Sequence, residues 1–311
     1  MLPVFTILHP IIDACSIAVL VVGGRSWERV VAYNAIAFAL QLPLGMLLDV
    51  LWKRSGRTFR LNRMFFYVGT ALVFAAALAA VFGFAGWGVL AAVCVGNALF
   101  HLTAGKYILD TRNGRSGPIG LFISTGALGL MAGQVWAEKA AAPCLVTFAS
   151  ALAVCVVPAV VLEWNGDVPP RPGRRGARPA LVPALVLALL FAIIAWRSWA
   201  ALFAGDRTAD ECVAMVLAGA AATFAGKVAG GYLAERLGRW KVTAFSVAGS
   251  GALVFLCEPS WAAMWLVLLF VAQLATGPVL SLMYDGADGN GGTAFGLNCL
   301  GLFVGFGGSF V

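Results

Sequence analysis

Two pairs of polar residues with helical spacing could exchange protons. His9 and Asp13 lie four residues apart, and Asn97 and His101 repeat that spacing further along the chain. Residues four apart share one face of a helix, so the members of each pair can act together if their segment is helical. Histidine exchanges a proton near neutral pH, and a neighbouring carboxylate tunes that exchange. The spacing therefore predicts a proton-coupling site, or alternatively a buried polar network that fixes helix packing.

Further polar side chains lie inside apolar stretches of the chain. Gln41 belongs to the first half, and Arg197, Lys227 and Gln273 belong to the second. Two cations facing a His/Asp pair would suit an anionic or zwitterionic small molecule, although each cation could instead extend its charged head to a polar interface. We predict that these four residues and the two pairs bind substrate and protons. The sequence shows no nucleophile triad, phosphate-binding loop, metal cluster or cofactor motif.

The elements that position these residues must be membrane-spanning helices. Of 311 residues, 61% are hydrophobic and only 11% are charged, with a mean hydropathy of +0.91. Soluble domains carry about 25% charged residues, so the composition predicts an all-α polytopic membrane protein embedded in a lipid bilayer. Ionisable groups inside a bilayer are costly and by default mark function. The net charge of +7 indicates basic cytoplasmic loops rather than a nucleic-acid partner.

Eleven segments are long and apolar enough to cross the hydrocarbon, which takes about 20 residues. They are 3–24, 30–52, 64–83, 86–107, 117–137, 141–162, 180–202, 212–234, 241–257, 260–284 and 293–311. A polar stretch rich in Pro, Gly and Arg, residues 163–180, reads as a cytoplasmic linker. It separates a predicted bundle of six helices, residues 1–162, from a predicted bundle of five, residues 181–311.

The distribution of basic residues predicts the orientation. Alternate loops, beginning with 53–63 and including the linker, hold fifteen of the 21 Lys and Arg residues. Because cytoplasmic loops are enriched in Lys and Arg, the N-terminus should lie in the cytoplasm. The flanks of the first span disagree, since both nearby arginines follow it, but the sum over many loops outweighs them. We expect a multi-pass protein of the bacterial plasma membrane.

The ends of the second and eighth spans form an internal repeat. "QLPLGMLLDVLWKRSGR" (41–57) and "VAGGYLAERLGRWKV" (228–242) each contain a glycine, an acid four residues later, and then a Gly-Arg pair. Parallel repeats of this kind are the plan of one large transporter class. We predict a conformational latch, in which the acid pairs with a nearby arginine or a facing helix terminus; the alternative is a plain stop-transfer cluster. Its residues are Gly45, Asp49, Gly231, Glu235, Arg236, Gly238 and Arg239.

The second copy of the repeat resembles the loop signature of the major facilitator superfamily (MFS). That signature reads Gly-x-Leu-Ala-Asp-Arg-x-Gly-Arg-Lys, and here Glu235 replaces the Asp. "HPIID", "QLPLG", "GNALFH" and "GALGLMAG" are similar to the fosmidomycin-resistance-type drug exporters within it. The resemblance implies two pseudo-symmetric six-helix bundles in a monomer. It also implies secondary transport by alternating access, with proton-coupled export of a small organic compound. The superfamily has twelve spans, so the twelfth is expected to be missing here.

Other functions stay open at this point. The same fold could carry out uptake or uniport of a small metabolite, or serve as a transport-inactive membrane partner. A membrane enzyme would need an acid/base or metal cluster at one membrane face, and because the sequence shows none we predict that the chain is not an enzyme. "DGADGNGG" (285–292) lacks the ligand spacing of a calcium loop and is predicted to be a flexible cytoplasmic loop.

Overall fold

The computed structural model describes residues 1–55, 58–161, 181–209, 213–256 and 262–307. Over these ranges the chain forms twelve α-helices and one π-helix, and no strand. They are α1 (Leu2–Val22), α2 (Trp27–Asn34), the π-helix (Ala35–Ala39), α3 (Gln41–Ser55), α4 (Thr58–Val81), α5 (Trp87–Thr111), α6 (Ser116–Val161), α7 (Leu181–Ala209), α8 (Val213–Leu237), α9 (Arg239–Leu256), α10 (Ala262–Gln273), α11 (Thr276–Gly286) and α12 (Gly291–Gly307). The predicted linker 163–180 lies outside the described residues, so the domain boundaries beside it stay predictions.

The helices correspond to the predicted spans, with two of the spans interrupted. The span predicted at 30–52 consists of α2, the π-helix and α3 in succession. The span predicted at 260–284 is broken between α10 and α11, at Leu274 and Ala275. In the described part of the chain, eight continuous helical stretches are long and apolar enough to cross a membrane, and α12 is apolar but shorter. The chain is therefore an all-α polytopic membrane protein.

The 46-residue helix α6 contains two predicted spans. Its backbone leaves the helical conformation at Ala140, with φ of −155° and ψ of 75°, three residues before Pro143. The Cys144 Sγ atom lies 3.8 Å from the carbonyl oxygen of Gly133. A straight helix would separate residues eleven apart by roughly 16 Å. The chain therefore reverses at Ala140, and residues 116–139 form a first arm while 141–161 form a second.

Glycines allow α1 to pack closely on the first arm of α6. A Cβ atom added at Gly129 would collide with the Pro10 carbonyl oxygen, and one at Gly133 would lie 2.5 Å from the Ala14 carbonyl oxygen. Small residues at such spacing let two membrane helices bring their backbones together. This contact fixes the face of α1 that carries His9 against α6.

Two further close pairs join the first half of the chain (residues 1–162) to the second (residues 181–311). In one, α3 packs on α12, where a Cβ atom at Gly45 would collide with the Gly292 carbonyl oxygen. In the other, α8 packs on the first arm of α6, where a Cβ atom at Gly231 would lie 2.7 Å from the Ser116 carbonyl oxygen. Both pairs meet at the end of the assembly where α3 and α8 end and where α6 and α12 begin. We call this the basic end because Lys53, Arg54, Arg112, Arg236 and Lys241 are exposed there.

Candidate functional site

A cavity of about 520 Å³ lies between the two halves. This volume is typical of a small-molecule site. All eight residues predicted to bind substrate and protons line its wall: His9, Asp13, Gln41, Asn97, His101, Arg197, Lys227 and Gln273. Histidine and carboxylate groups come from first-half helices, and both cations come from second-half helices.

The cavity extends away from the basic end. Its wall includes Gln134 near the reversal of α6, Val216 near the start of α8 and Phe306 near the end of α12. At that far end the described ion pair between Arg25 and Glu138, at 2.6 Å, joins two parts of the first half and does not bridge the halves. The described contacts between the halves therefore close the basic end and leave the cavity reaching toward the other.

Both histidines of the chain converge on one carboxylate. The sequence contains two His residues, His9 on α1 and His101 on α5. The Nε2 atom of His9 lies 3.2 Å from Asp13 Oδ2, and the Nε2 atom of His101 lies 3.4 Å from Asp13 Oδ1. Asn97 Nδ2 donates to Asp13 Oδ1 at 3.1 Å and to Ser16 Oγ at 3.1 Å. We call His9, Asp13, Asn97 and His101 the histidine–aspartate cluster.

The other ring nitrogen of each histidine fixes the chemistry of this cluster. His9 Nδ1 bonds the Phe122 carbonyl oxygen at 2.7 Å, and His101 Nδ1 bonds the Asn97 carbonyl oxygen at 2.8 Å. A carbonyl oxygen only accepts hydrogen bonds, so each Nδ1 carries a hydrogen. Each Nε2 atom then faces the Asp13 carboxylate, and a neutral ring would direct a lone pair at it. The arrangement therefore favours a proton, or another cation, between ring and carboxylate.

The opposite wall carries the two cations. Arg197 Nη1 donates to Gln273 Oε1, which also accepts from Thr276 Oγ1 at 3.0 Å. Lys227 Nζ donates to the Ile123 carbonyl oxygen at 3.2 Å and acts electrostatically on both Arg197 and Asp13. These contacts place both charged heads in the cavity wall, so the alternative that they reach a membrane interface is not what the structure shows.

Gln41 contributes to packing as well as to the wall. Its Nε2 atom donates to the Ala37 carbonyl oxygen at 2.6 Å, and its Oε1 atom accepts from Cys299 Sγ at 3.3 Å. The first bond lies at the junction between the π-helix and α3, and the second joins α3 to α12. Gln41 thus connects the two halves within the cavity wall.

Asp49, the acid of the first repeat copy, binds the N-terminus of α12. Its carboxylate accepts hydrogen bonds from Gly292 N at 3.2 Å, Thr293 N at 2.6 Å and Thr293 Oγ1 at 2.8 Å. Lys106 Nζ lies 2.6 Å from Asp49 and 2.8 Å from Asp110. A carboxylate at a helix N-terminus pairs with unsatisfied N–H groups and with the positive end of the helix dipole. This contact crosses between the halves, and Asp49 is buried, with 5% exposure.

Glu235, the acid of the second copy, makes the equivalent contact with α6. Its Oε1 atom accepts from Gly117 N at 3.0 Å, and its Oε2 atom lies 2.6 Å from Arg115 Nη2. The Arg115 side chain is 63% exposed, and its hydrogen bonds to Glu235 raise the Arg115 pKa above its ordinary value. Of the partners predicted for Glu235, the facing helix terminus is the one that the structure shows. The arginine that pairs with Glu235 is Arg115, and not Arg236 or Arg239 as predicted.

The remaining latch residues have separate roles. Arg236 is exposed at the end of α8. Gly238 has a φ of +103°, which glycine adopts without strain, and it forms the turn between α8 and α9. Arg239 pairs with Asp285 at 2.7 Å and donates to Ser281 Oγ at 2.8 Å, so it ties α9 to α11 within the second half.

Sequence reasoning missed the partners that complete both latches. Lys106 is one of the fifteen basic residues counted above as loop residues, although its spacing of four from Asp110 on an apolar helix is also that of a pair on one helix face. The segment 285–292, predicted to be a flexible loop, ends α11 and begins α12, and Gly291 and Gly292 are buried. The contacts of these residues with Asp49 have no local sequence signal, because they join helices far apart in the chain.

Comparisons with known proteins find matches among solved structures. A structure of FucP, described as an MFS transporter in the outward conformation, has a TM-score of 0.65 and 11% identity, covering 98% of this chain and 89% of FucP. A variant of FucP, the E. coli fucose:proton symporter, has a TM-score of 0.62 and 11% identity, with the same coverage. The fold is that of the major facilitator superfamily.

A third structural neighbour is a bacterial homologue of the iron transporter ferroportin in an outward-facing state. Its TM-score is 0.55 at 15% identity, covering 99% of this chain and 90% of that protein. No protein-family model matches the chain, and no curated protein matches it. The three neighbours are described as a transporter, a symporter and a homologue of a transporter, and at these identities the likeness is one of fold. The finer resemblance to fosmidomycin-resistance-type exporters stays a prediction.

Proposed function

We propose that this MFS-fold chain is a secondary transporter that works by alternating access and exports a small organic compound in exchange for protons. One observation carries the proposal. A cavity between two halves holds a histidine–aspartate cluster on one wall and two cations on the other, and latches from both halves close one end of it. A transporter needs such a site together with contacts that can break on one side at a time.

The two latches support alternating access because their bonds to helix termini join one half to the other. Rocking of the halves would separate Asp49 from α12 and Glu235 from α6 while leaving Lys106 paired with Asp110 in the first half. In the proposed orientation the basic end is cytoplasmic, so this conformation opens outward. Structures of FucP and of the ferroportin homologue with the same fold are likewise described as outward or outward-facing.

The charge of the substrate decides whether protons move against it, as in antiport, or with it, as in symport. Lys227 and Arg197 suit an acidic group of the substrate, and the histidine–aspartate cluster suits a proton or a cationic group. A zwitterionic substrate would compete with protons at Asp13, and that competition gives antiport. A purely anionic substrate would instead bind together with protons, and that gives symport, the mode by which the neighbour FucP is described. We propose antiport and keep proton-coupled uptake as the second candidate.

The experiment is flux of candidate compounds in proteoliposomes, with a pH gradient imposed in either direction. Lys227→Gln should raise the half-saturating substrate concentration about ten-fold to a hundred-fold, because it removes a charged hydrogen-bond donor from the wall. Lys241→Gln is the matched control, since it removes an exposed lysine outside the cavity. Equal half-saturation in both variants would remove Lys227 from the site, and flux no greater than in protein-free liposomes would favour a transport-inactive partner.

The remaining parts of the proposal concern the setting. We propose a monomer in the bacterial plasma membrane, with its N-terminus and residues 163–180 in the cytoplasm. The positions of basic residues support this orientation.

A further inference from the structure

We infer that the histidine–aspartate cluster is a binding site for a divalent transition-metal ion. The Nε2 atoms of His9 and His101 and one carboxylate oxygen of Asp13 all lie within 4.8 Å of one another. A tetrahedral site with bonds of about 2.1 Å separates its donor atoms by about 3.4 Å. The His9 Nε2 atom lies 3.2 Å from Asp13 Oδ2 and the His101 Nε2 atom lies 3.4 Å from Asp13 Oδ1, so each ring has that spacing to its own oxygen of the shared carboxylate. The inference concerns binding alone and goes beyond the proposed transport.

The second contact of each histidine is the one that metal ligation needs. Ligating histidines almost always donate their other ring N–H to a carboxylate or a backbone carbonyl, which fixes the tautomer and aims the lone pair at the metal. Here the Nδ1 atoms of His9 and His101 are held by the carbonyl oxygens of Phe122 and Asn97. Both Nε2 lone pairs are thereby directed at the same carboxylate before any ion arrives.

Gly126 of α6 packs directly against the donor atoms. A Cβ atom there would lie 2.5 Å from His9 Nε2 and would also collide with Asp13 Oδ2, so only glycine leaves these two donors in place. All three ligand residues and Gly126 line the cavity, so a small ion can reach the site and keep an open coordination position. Lys227 donates a hydrogen bond to the Ile123 carbonyl oxygen. The Asp13 carboxylate is therefore left to the two histidines.

The donor set selects the class of metal. Two imidazoles and one carboxylate suit Zn²⁺, Fe²⁺, Co²⁺ or Ni²⁺, whereas Mg²⁺ and Ca²⁺ prefer sites built from oxygen alone. An ion at the cluster would take the position that a proton otherwise occupies between ring and carboxylate. Metal binding should therefore release protons and should weaken as the pH falls. The titratable and charged groups that act on Asp13 besides the two histidines are Lys227, with Arg197 next to it, and Tyr33 on α2.

The test uses the full chain in detergent, purified with a tag that contains no histidine. Titration with Co²⁺ should produce visible absorption bands of a nitrogen- and oxygen-ligated ion, and Zn²⁺ should displace it. Asp13→Asn and His101→Ala should each weaken Co²⁺ binding at least about ten-fold, the lower limit seen even for loss of a group that only hydrogen-bonds to a metal ligand. Gln134→Ala, which changes the same cavity wall away from the cluster, should bind Co²⁺ as the unmodified chain does.

Two further measurements separate the site from a loss of structure. Gly126→Ala keeps all three ligands but presses a methyl group against His9 Nε2 and Asp13 Oδ2, so it should abolish Co²⁺ binding while the helical circular dichroism stays unchanged. The chain contains two histidines, so ¹⁵N-histidine labelling gives two ring systems, and Zn²⁺ should shift both Nε2 resonances while both Nδ1 atoms stay protonated. Equal Co²⁺ affinity in Asp13→Asn, His101→Ala and Gln134→Ala, or no Co²⁺ binding by the unmodified chain at millimolar concentration, would overturn the inference and leave a cluster that holds protons only.

Discussion

At the scale of single residues, Asp13 is the carboxylate on which the polar side chains of the first-half wall converge. It contacts both histidines and Asn97, and it is 6% exposed. An unpaired charge near the bilayer centre costs at least about 2.5 kcal/mol, so this carboxylate must be protonated or partnered through most of a transport cycle. Any step that moves a proton on or off the cluster therefore changes the charge balance of the whole cavity.

Replacing Asp13 with asparagine should separate proton coupling from substrate binding. Asp13→Asn mimics the neutral carboxyl group and keeps an oxygen that can accept from Asn97. We expect proton-driven flux to be abolished, whereas exchange of substrate without a pH gradient survives. Both activities can be measured in the same proteoliposomes, with and without an imposed gradient.

His9→Ala is the companion variant for this prediction. It removes one of two rings, while His101 and Lys227 still face Asp13, so the pH dependence of transport should shift without transport being lost. If Asp13→Asn kept full proton-driven flux, the cluster would be a packing network, and Lys227 would become the first candidate for the coupling group.

The residue pairs could be predicted from the sequence, but their convergence could not. Spacing of four placed His9 with Asp13 and Asn97 with His101, because helical periodicity is local. The contact between His101 and Asp13 depends instead on how α5 packs beside α1. That packing is set by side chains spread over several helices, so no local pattern reports it.

At the scale of the elements, hydropathy predicts the spans well and their internal breaks poorly. The apolar length of a segment reports that it crosses the bilayer, whatever its backbone does on the way. The π-helix before Gln41 and the break at Leu274 and Ala275 both lie inside apolar runs. Both adjoin polar cavity residues, Gln41 in one case and Gln273 in the other, so the irregular backbone occurs where it lines the site.

The two latches should contribute unequally to closing the basic end. Asp49 is buried and bonds three donors of α12, whereas Glu235 relies partly on the exposed Arg115, whose charge water screens. Asp49→Asn removes a charged hydrogen-bond acceptor, worth about 1.5–3 kcal/mol. It should raise the ratio of molecules open at the basic end to molecules closed there roughly ten-fold to a hundred-fold. Glu235→Gln should shift the same ratio in the same direction, but less.

Spin labels placed at Arg112 and Lys241 can measure this ratio. Both residues are exposed at the basic end and lie on different halves, so the distance between them should lengthen when the latches open. The variants would be compared in a background that lacks the native cysteines, with transport kinetics measured in parallel. Unchanged distances and unchanged flux in both latch variants would reduce the repeat to a stop-transfer cluster.

At the scale of the whole molecule, the two latches are one arrangement used twice. In each, the acid at the end of the second span of one half binds the N-terminus of the fifth span of the other, as Asp49 does with α12 and Glu235 with the first arm of α6. The repeated sequence predicted that the copies would be equivalent. It could not predict which helix each acid would meet, because the receiving termini carry glycines and a threonine rather than basic residues.

The last prediction concerns how the whole molecule lies in the membrane. The loops that the sequence counts as basic include Lys53, Arg112 and Arg236, which are exposed at the basic end, so that end should face the cytoplasm. In a cysteine-free background, Lys53→Cys and Gly173→Cys should react with an impermeant maleimide only in inverted vesicles. Phe84→Cys, at the opposite end and 66% exposed, should react only in intact cells. Labelling of Lys53→Cys from outside intact cells would reverse the topology, and the conformation described here would then open toward the cytoplasm.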